Sequence, residues 1–164
     1  ITAHSLDIPT SSTMMYGHIE QPFHRALHMD KIRSIQKKYG KFTEFVPLRF
    51  VRRNTPLYKK GLCKPALSGM EDVKVHAIAR IFFNNFIKNI QVSWVKLGNS
   101  LAQVCLHAGA NDFGGTLIEE NISRTAGGDS PGFLTVDDIK ELIRACGKTP
   151  VQRSTLYENI GYAS

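Results

Sequence analysis

The sequence predicts an α/β fold of about four strand–helix units built on a parallel sheet. Three observations carry that prediction. Short runs with apolar residues at every second position alternate with longer runs that repeat them at i, i+3, i+4 and i+7, and this pairing recurs four times. Helix start and stop signals stand at the joins. With 164 residues, 42% hydrophobic and 21% charged, the chain has the size and composition to enclose a sizeable core.

In chain order, Ile1 to Asp7 reads as the last turn of a helix and Ile8 to Tyr16 as the first strand. Gln21 to Tyr39 follows as a helix with Pro22 at its start, where a missing N–H is harmless. The second strand, Phe42 to Val51, runs into a loop holding Pro56, Gly61 and Pro65. Ser68-Gly-Met-Glu71 has the capping-box pattern and opens a helix with Val73, Ala77 and Ile81 at i+4 steps. The third strand is predicted over Ile90 to Leu97, where Ile90, Val92 and Trp94 alternate with Gln91, Ser93 and Val95. Leu101, Val104, Cys105 and Ala108 then mark the apolar stripe of a helix closed by Gly109. A short fourth strand lies near Asn111 to Gly114. After a loop with Gly127, Gly128 and Gly132, Thr135 caps a last helix carrying Ile139, Leu142, Ile143 and Cys146, which Gly147 and Pro150 end.

Strict alternation of strand and helix implies parallel strands with right-handed crossovers, as a doubly wound sheet or a β/α barrel. In both, ligands gather at the carboxyl ends of the strands. The unusual residues stand there: Gly17-His18-Ile19-Glu20, Arg52-Arg53-Asn54-Thr55, Lys96-Leu97-Gly98-Asn99 and Asn111-Asp112-Phe113-Gly114-Gly115. The run from Gly109 to Arg124 concentrates an Asn-Asp, a Gly-Gly and a Glu-Glu pair, and paired glycines admit close backbone approach. Four units are half of an eightfold barrel, which takes roughly 250 residues. Residues 1–164 therefore read as one incomplete domain that needs a second half or a partner.

Composition excludes several classes. Cys63, Cys105 and Cys146 are too scattered for a zinc knuckle, a redox pair or a disulfide scaffold, so no metal site is expected from this chain. No apolar run approaches the ~20 residues of a membrane span and no signal peptide opens the chain, so a cytoplasmic location without membrane partners is expected. The formal charge of +7 comes largely from Lys31, Arg33, Lys37, Lys38 and Lys41 and from Arg49, Arg52, Arg53, Lys59, Lys60 and Lys64. These clusters lack interleaved aromatic platforms, so solvated faces are expected and nucleic acid is not.

Ile8-Pro-Thr-Ser-Ser-Thr-Met-Met-Tyr-Gly-His-Ile-Glu20 resembles the fifth-strand motif of radical S-adenosylmethionine enzymes of the FO synthase family. Thr43 to Tyr58 is similar to the strand and loop that follow, Asn111 to Arg124 to the last-strand signature, and Pro150 to Tyr157 to the terminal segment. The resemblance covers almost the whole chain. It implies the C-terminal half of a radical S-adenosylmethionine β/α (TIM-like) barrel that uses S-adenosyl-L-methionine and a [4Fe-4S] cluster. The Gly-Gly-Thr-Leu run after the signature favours the deazaflavin branch, whose substrates are L-tyrosine and 5-amino-6-(D-ribitylamino)uracil. There a 5′-deoxyadenosyl radical attacks tyrosine and a hydroxybenzyl fragment joins the ribityl-uracil. A menaquinone futalosine-pathway enzyme and a non-catalytic half-barrel that binds a partner are the alternatives. The family's CxxxCxxC cluster loop does not occur here, so the cluster ligands are expected on an N-terminal half-barrel, in cis or in trans, and the chain alone should be inactive.

The resemblance places Thr13, Met14, Met15, Gly17 and Glu20 beside the cofactor, although Thr13 stands where relatives carry glycine. Methionines that fill the core and a glutamate that opens a helix are the structural alternatives. His18, on the rim, is the candidate to hold a substrate polar group or move a proton, since imidazole titrates near neutrality. Asn111 and Asp112 suit the polar edges of a substrate or serve as turn residues. Gln91 and Ser93 belong in a substrate channel if they point inward. Arg52, Arg53 and Asn54 would reach an anionic group such as the tyrosine carboxylate, with solvated loop charges as the alternative. Glu120 and Arg124 have the spacing of an internal helical pair.

Overall fold

The structure is a computed structural model that describes residues 1–117, 121–128 and 132–162. A helical turn, α1 (Thr2–Ser5), leads into β1 (Thr10–Tyr16), α2 (Pro22–Tyr39), β2 (Phe42–Arg49), the turn α3 (Pro56–Lys59) and α4 (Gly69–Phe82). Then come β3 (Asn89–Ile90), the turn α5 (Trp94–Leu97), α6 (Asn99–His107), α7 (Asn121–Thr125), α8 (Val136–Ala145) and a hairpin of β4 (Val151–Arg153) and β5 (Asn159–Tyr162). The predicted Glu120–Arg124 pair lies outside the described residues.

The sheet is mixed with helices as expected: β1, β2 and β3 are adjacent in that order and all parallel. Helix starts follow the sequence signals. Ser68 Oγ accepts from Glu71 N–H at 3.3 Å while Ser68 N–H donates to the Glu71 carboxylate at 3.1 Å. Thr135 and Asp138 form the same reciprocal pair ahead of α8. Gly40 ends α2 in the left-handed conformation, φ 67°, which glycine takes without strain.

Strand pairing fixes which side chains share a face. Met14, Tyr16, Phe45 and Ile90 pack against Met29 and Ile32 of α2 and Val75, Ala79 and Phe83 at α4. Burying each such large apolar side chain contributes about 1.5–3 kcal/mol. The opposite face carries Ser11, Thr13 and Met15 exposed, with Glu44, Val46 and Leu48 of β2 alongside. A second core joins Val92, Trp94, Ala102, Cys105 and Phe113 to Ile139, Leu142, Ile143 and Cys146 of α8.

Four expectations are corrected. The third strand stops at Ile90, with an isolated bridge at Gln91, and Trp94–Leu97 is a helical turn closed by Gly98 N–H on Trp94 O at 2.7 Å. Val92, Ser93, Trp94 and Val95 are all buried, so their alternation did not record one wet and one dry face. The fourth strand is reduced to the parallel bridge of Gln91 with Asp112, because Asp112 Oδ1 takes Gly114 N–H at 2.8 Å and turns the chain. Val104 is exposed at 49%, and Ala102, Cys105 and Leu106 form the buried side of α6 instead. Finally, the β4–β5 hairpin and α3 add structure beyond the four units, in stretches with weak periodicity.

Candidate functional site

The loop after β1 is rigid by construction. Gly17, at φ 87°, and His18 both donate backbone N–H to the Glu20 carboxylate, at 2.7 and 2.9 Å, and Arg25 clamps the same group at 2.6 Å. Burial alone would raise the Glu20 pKa, but these donors outweigh it and hold the carboxyl below its ordinary range. Glu20 is thus a brace for its own loop. His18 Nδ1 accepts from Ile19 N–H at 2.7 Å, so the neutral ring carries its proton on Nε2, which has no partner among the described residues. Its ring packs edge-on against Phe50.

Three of the four predicted rim loops converge on one cavity of about 450 Å³. Gly17, Arg52, Arg53, Lys96 and Gly98 line it, joined by Arg49 from the end of β2. The cavity therefore opens at the carboxyl ends of the strands, where α/β folds bind ligands. Arg53 and Asn54 are turned toward the segment after α7. Asn54 binds Ala126 O and Thr125 O, both at 3.0 Å, and a Cβ on Gly127 would stand 2.7 Å from Arg53 Cβ.

Asn111 and Asp112 line a different cavity of about 600 Å³, between α8 and the terminal hairpin. Asn111 Oδ1 accepts from Arg80 and from Ile90 N–H, at 2.7 and 2.8 Å, so it ties the start of the fourth strand to β3 and α4. Asp112 belongs to a cluster on the open face of the sheet. Its Oδ2 takes Arg153 Nε at 2.7 Å and the Tyr157 hydroxyl, which also reaches Glu44 Oε2 at 2.5 Å; Gln91 Nε2 donates to that same oxygen at 3.1 Å. One phenol hydrogen serves two carboxylates, and burial first, with both acceptors, drives the phenol pKa well above its usual value. Glu44, Arg153 and Tyr157 were not singled out from sequence, and no local pattern joins residues 113 positions apart.

Thr13 and Met15 lie on the open face, Met15 54% exposed. Met14 faces the helices, 3% exposed, and is corrected from the cofactor side to the core: period-two alternation sends neighbours to opposite faces. Ser93 is buried at the start of α5 and its carbonyl accepts from Lys96 N–H at 3.0 Å. Behind the sheet, fully buried Asp72 binds the Tyr16 hydroxyl at 2.8 Å and Arg49 Nη1 at 2.9 Å. Among the described residues no group of three His, Cys, Asp or Glu side chains could hold a metal ion, and no helix is long and apolar enough to cross a membrane.

Comparison with known proteins assigns the family. The family described as the CofH/MqnC C-terminal region matches residues 39–163. A 5-amino-6-(D-ribitylamino)uracil–L-tyrosine 4-hydroxyphenyl transferase of Methanopyrus kandleri is 58% identical over 158 residues, covering 96% of this chain and 43% of its own. The transferases of the same name from Methanococcus maripaludis strain C7 and Methanocaldococcus jannaschii are 54% and 51% identical, over 96% and 95% of this chain, and 44% of each relative. The chain thus spans less than half the length of these curated relatives. The chain belongs to the CofH/MqnC C-terminal region family.

Proposed function

We propose that residues 1–164 are the C-terminal half of a radical S-adenosylmethionine β/α barrel acting in deazaflavin (FO) biosynthesis. The whole protein, in this reading, transfers the tyrosine-derived 4-hydroxybenzyl group to 5-amino-6-(D-ribitylamino)uracil. The observation that carries it is the uncovered sheet face. Parallel sheets bury both faces, yet here helices cover one, while Thr13 and Met15 stand bare on the other and β1 is an edge strand. Strands continuing from that edge would enclose Thr13, Met15, Glu44 and Gln91 as an inner wall. The relatives' names supply the substrates.

The residues present do not fit a [4Fe-4S] cluster. Cys105 is fully buried, its thiol pushed up to about 12 by burial first, and Cys146 donates to Leu142 O at 3.3 Å. The cluster ligands are therefore assigned to an N-terminal half, in cis or in trans. S-adenosylmethionine fits the upper inner wall: Thr13 and Met15 offer side chains, and Gly17 admits close approach. When bound with its cluster, it supplies radical chemistry. The chain's own residues orient and enclose: His18 Nε2 donates to a substrate oxygen, the Glu20 brace keeps that imidazole in place, and Gln91 lines the channel.

The test is turnover by the full-length protein with S-adenosylmethionine, L-tyrosine and the ribityl-uracil. Expected is the uracil adduct, lowered at least tenfold by His18→Ala. Turnover of a futalosine-type substrate instead, or no loss with His18→Ala, would refute the reading or that role respectively. Residues 1–164 alone should give no product until the other half is added.

A further inference from the structure

We propose that the 450 Å³ cavity at the strand ends is a carboxylate site, with Arg52 as its principal contact and the α-carboxylate of an amino acid as its ligand. This rests on the reading that an amino-acid substrate enters this face. Its lining includes Arg49, Arg52, Arg53 and Lys96, and no carboxylate among the described residues. Such a wall of cations concentrates anions at the opening.

The four cations are not equivalent. Arg49 is committed, with Nη1 on Asp72 and Nη2 on Leu67 O at 2.8 Å. Lys96 reaches the Ser123 hydroxyl, and Arg53 is packed under Gly127. Arg52 places only Nη1 on a protein acceptor, Lys64 O at 2.7 Å, and its guanidinium lies 5.3 Å from the Tyr58 ring centroid. The bond and the ring fix the plane of the guanidinium, while its other N–H groups have no partner among the described residues. A planar fork with unengaged donors is the geometry that a carboxylate accepts in bidentate fashion. Phe50, Leu67 and Leu97 complete the walls. One unengaged fork matches a monoanion better than a phosphate dianion, which draws on several donors.

This assignment narrows the expected anion contact from Arg52, Arg53 and Asn54 to Arg52 alone. Two ligands carry an α-carboxylate, the amino-acid substrate and S-adenosylmethionine, and binding separates them. The full-length protein is titrated with L-tyrosine, with tyramine, which lacks the carboxylate, and with S-adenosylmethionine and its decarboxylated form. The variants are Arg52→Gln and the charge-keeping Arg52→Lys.

Expected is a loss of at least tenfold in L-tyrosine affinity for Arg52→Gln, a smaller loss for Arg52→Lys, and unchanged tyramine binding, which also reports an intact fold. The same pattern on S-adenosylmethionine, with its decarboxylated form unaffected, supports the carboxylate site and names the other source. Equal binding of carboxylated and decarboxylated ligands, or no effect of Arg52→Gln on either pair, overturns the proposal. Carboxylate-dependent binding without formation of the uracil adduct refutes the transferase reading and leaves this site standing.

Discussion

Tyr16→Phe isolates one hydrogen bond and so measures what anchors the back of the sheet. Tyr16 is 0% exposed and its hydroxyl donates to Asp72, also 0% exposed, at 2.8 Å. The substitution removes one oxygen and leaves the ring and its packing on α2 and α4 in place. The cavity contribution is therefore small, and the loss is that of a buried donor to a charged acceptor, about 1.5–3 kcal/mol. Asp72 retains Arg49, so the upper part of the range for an orphaned charge does not apply. Burial first, and Asp72 second, raise the phenol pKa above its ordinary 10.0, so the contribution is complete below that pH and is lost only above it. Denaturant unfolding of the full-length protein at neutral pH should show a lower midpoint at unchanged slope. A double-mutant cycle with Asp72→Asn should return a coupling of about 1–3 kcal/mol. A Tyr16→Phe protein within about 0.5 kcal/mol of the parent, or a coupling near zero, would refute the argument.

Three further outcomes follow from the geometry. Tyr157→Phe removes the hydroxyl shared by Glu44 and Asp112 and should cost about 1–2 kcal/mol, read as faster amide exchange at Val92 and Gly114; unchanged exchange there would mean that the terminal segment does not secure the open face. The Glu20 carboxyl has a lowered pKa, so its bracing is complete above its ordinary 4.5 and is lost as pH falls below that value; amide exchange at Gly17 and His18 should rise there, and Glu20→Gln should raise it at neutral pH. Gly127→Ala combines φ 90° with a Cβ 2.7 Å from Arg53 Cβ, a penalty of about 1–3 kcal/mol, and should release the segment after α7 from Asn54 as faster proteolytic nicking between residues 121 and 128.

What was legible in the sequence is what short-range physics writes. Pro22, the Ser68–Glu71 box, Thr135 and Gly147 act on backbone groups within a few positions, and α2, α4 and α8 begin or end beside these signals. The faces of β1 were harder. Met14 and Met15 are chemically the same, and only the register against Pro47 and Leu48 decides which one meets the helices. The third strand is shorter than its alternation predicts because Val92, Ser93, Trp94 and Val95 are all buried, so the alternation marks no wet face and Trp94–Leu97 closes a helical turn. Of the rim, Gly17, Arg53 and Lys96 line one cavity, although Lys96 stands on α5 and not at a strand end. The Glu44–Asp112–Arg153–Tyr157 cluster is assembled from three distant segments, and only the folded chain brings them together.

The two faces of the sheet are finished differently, and that difference supports the proposed site. Behind the sheet, Tyr16, Asp72 and Arg49 satisfy one another beside an apolar layer, an arrangement that rigidifies the back of the sheet. On the open face, the terminal segment engages Glu44 and Asp112 at the level of the strand starts and middles. Nearer the carboxyl ends, Thr13 and Met15 remain exposed below the His18 imidazole and the cationic cavity. A mixed face, closed with ion pairs at one end and open beneath a basic mouth at the other, has the form of a channel floor. The division of β1 and β2 into a structural back and a ligand-facing front therefore argues for chemistry above Met15, where the proposed substrate contacts converge.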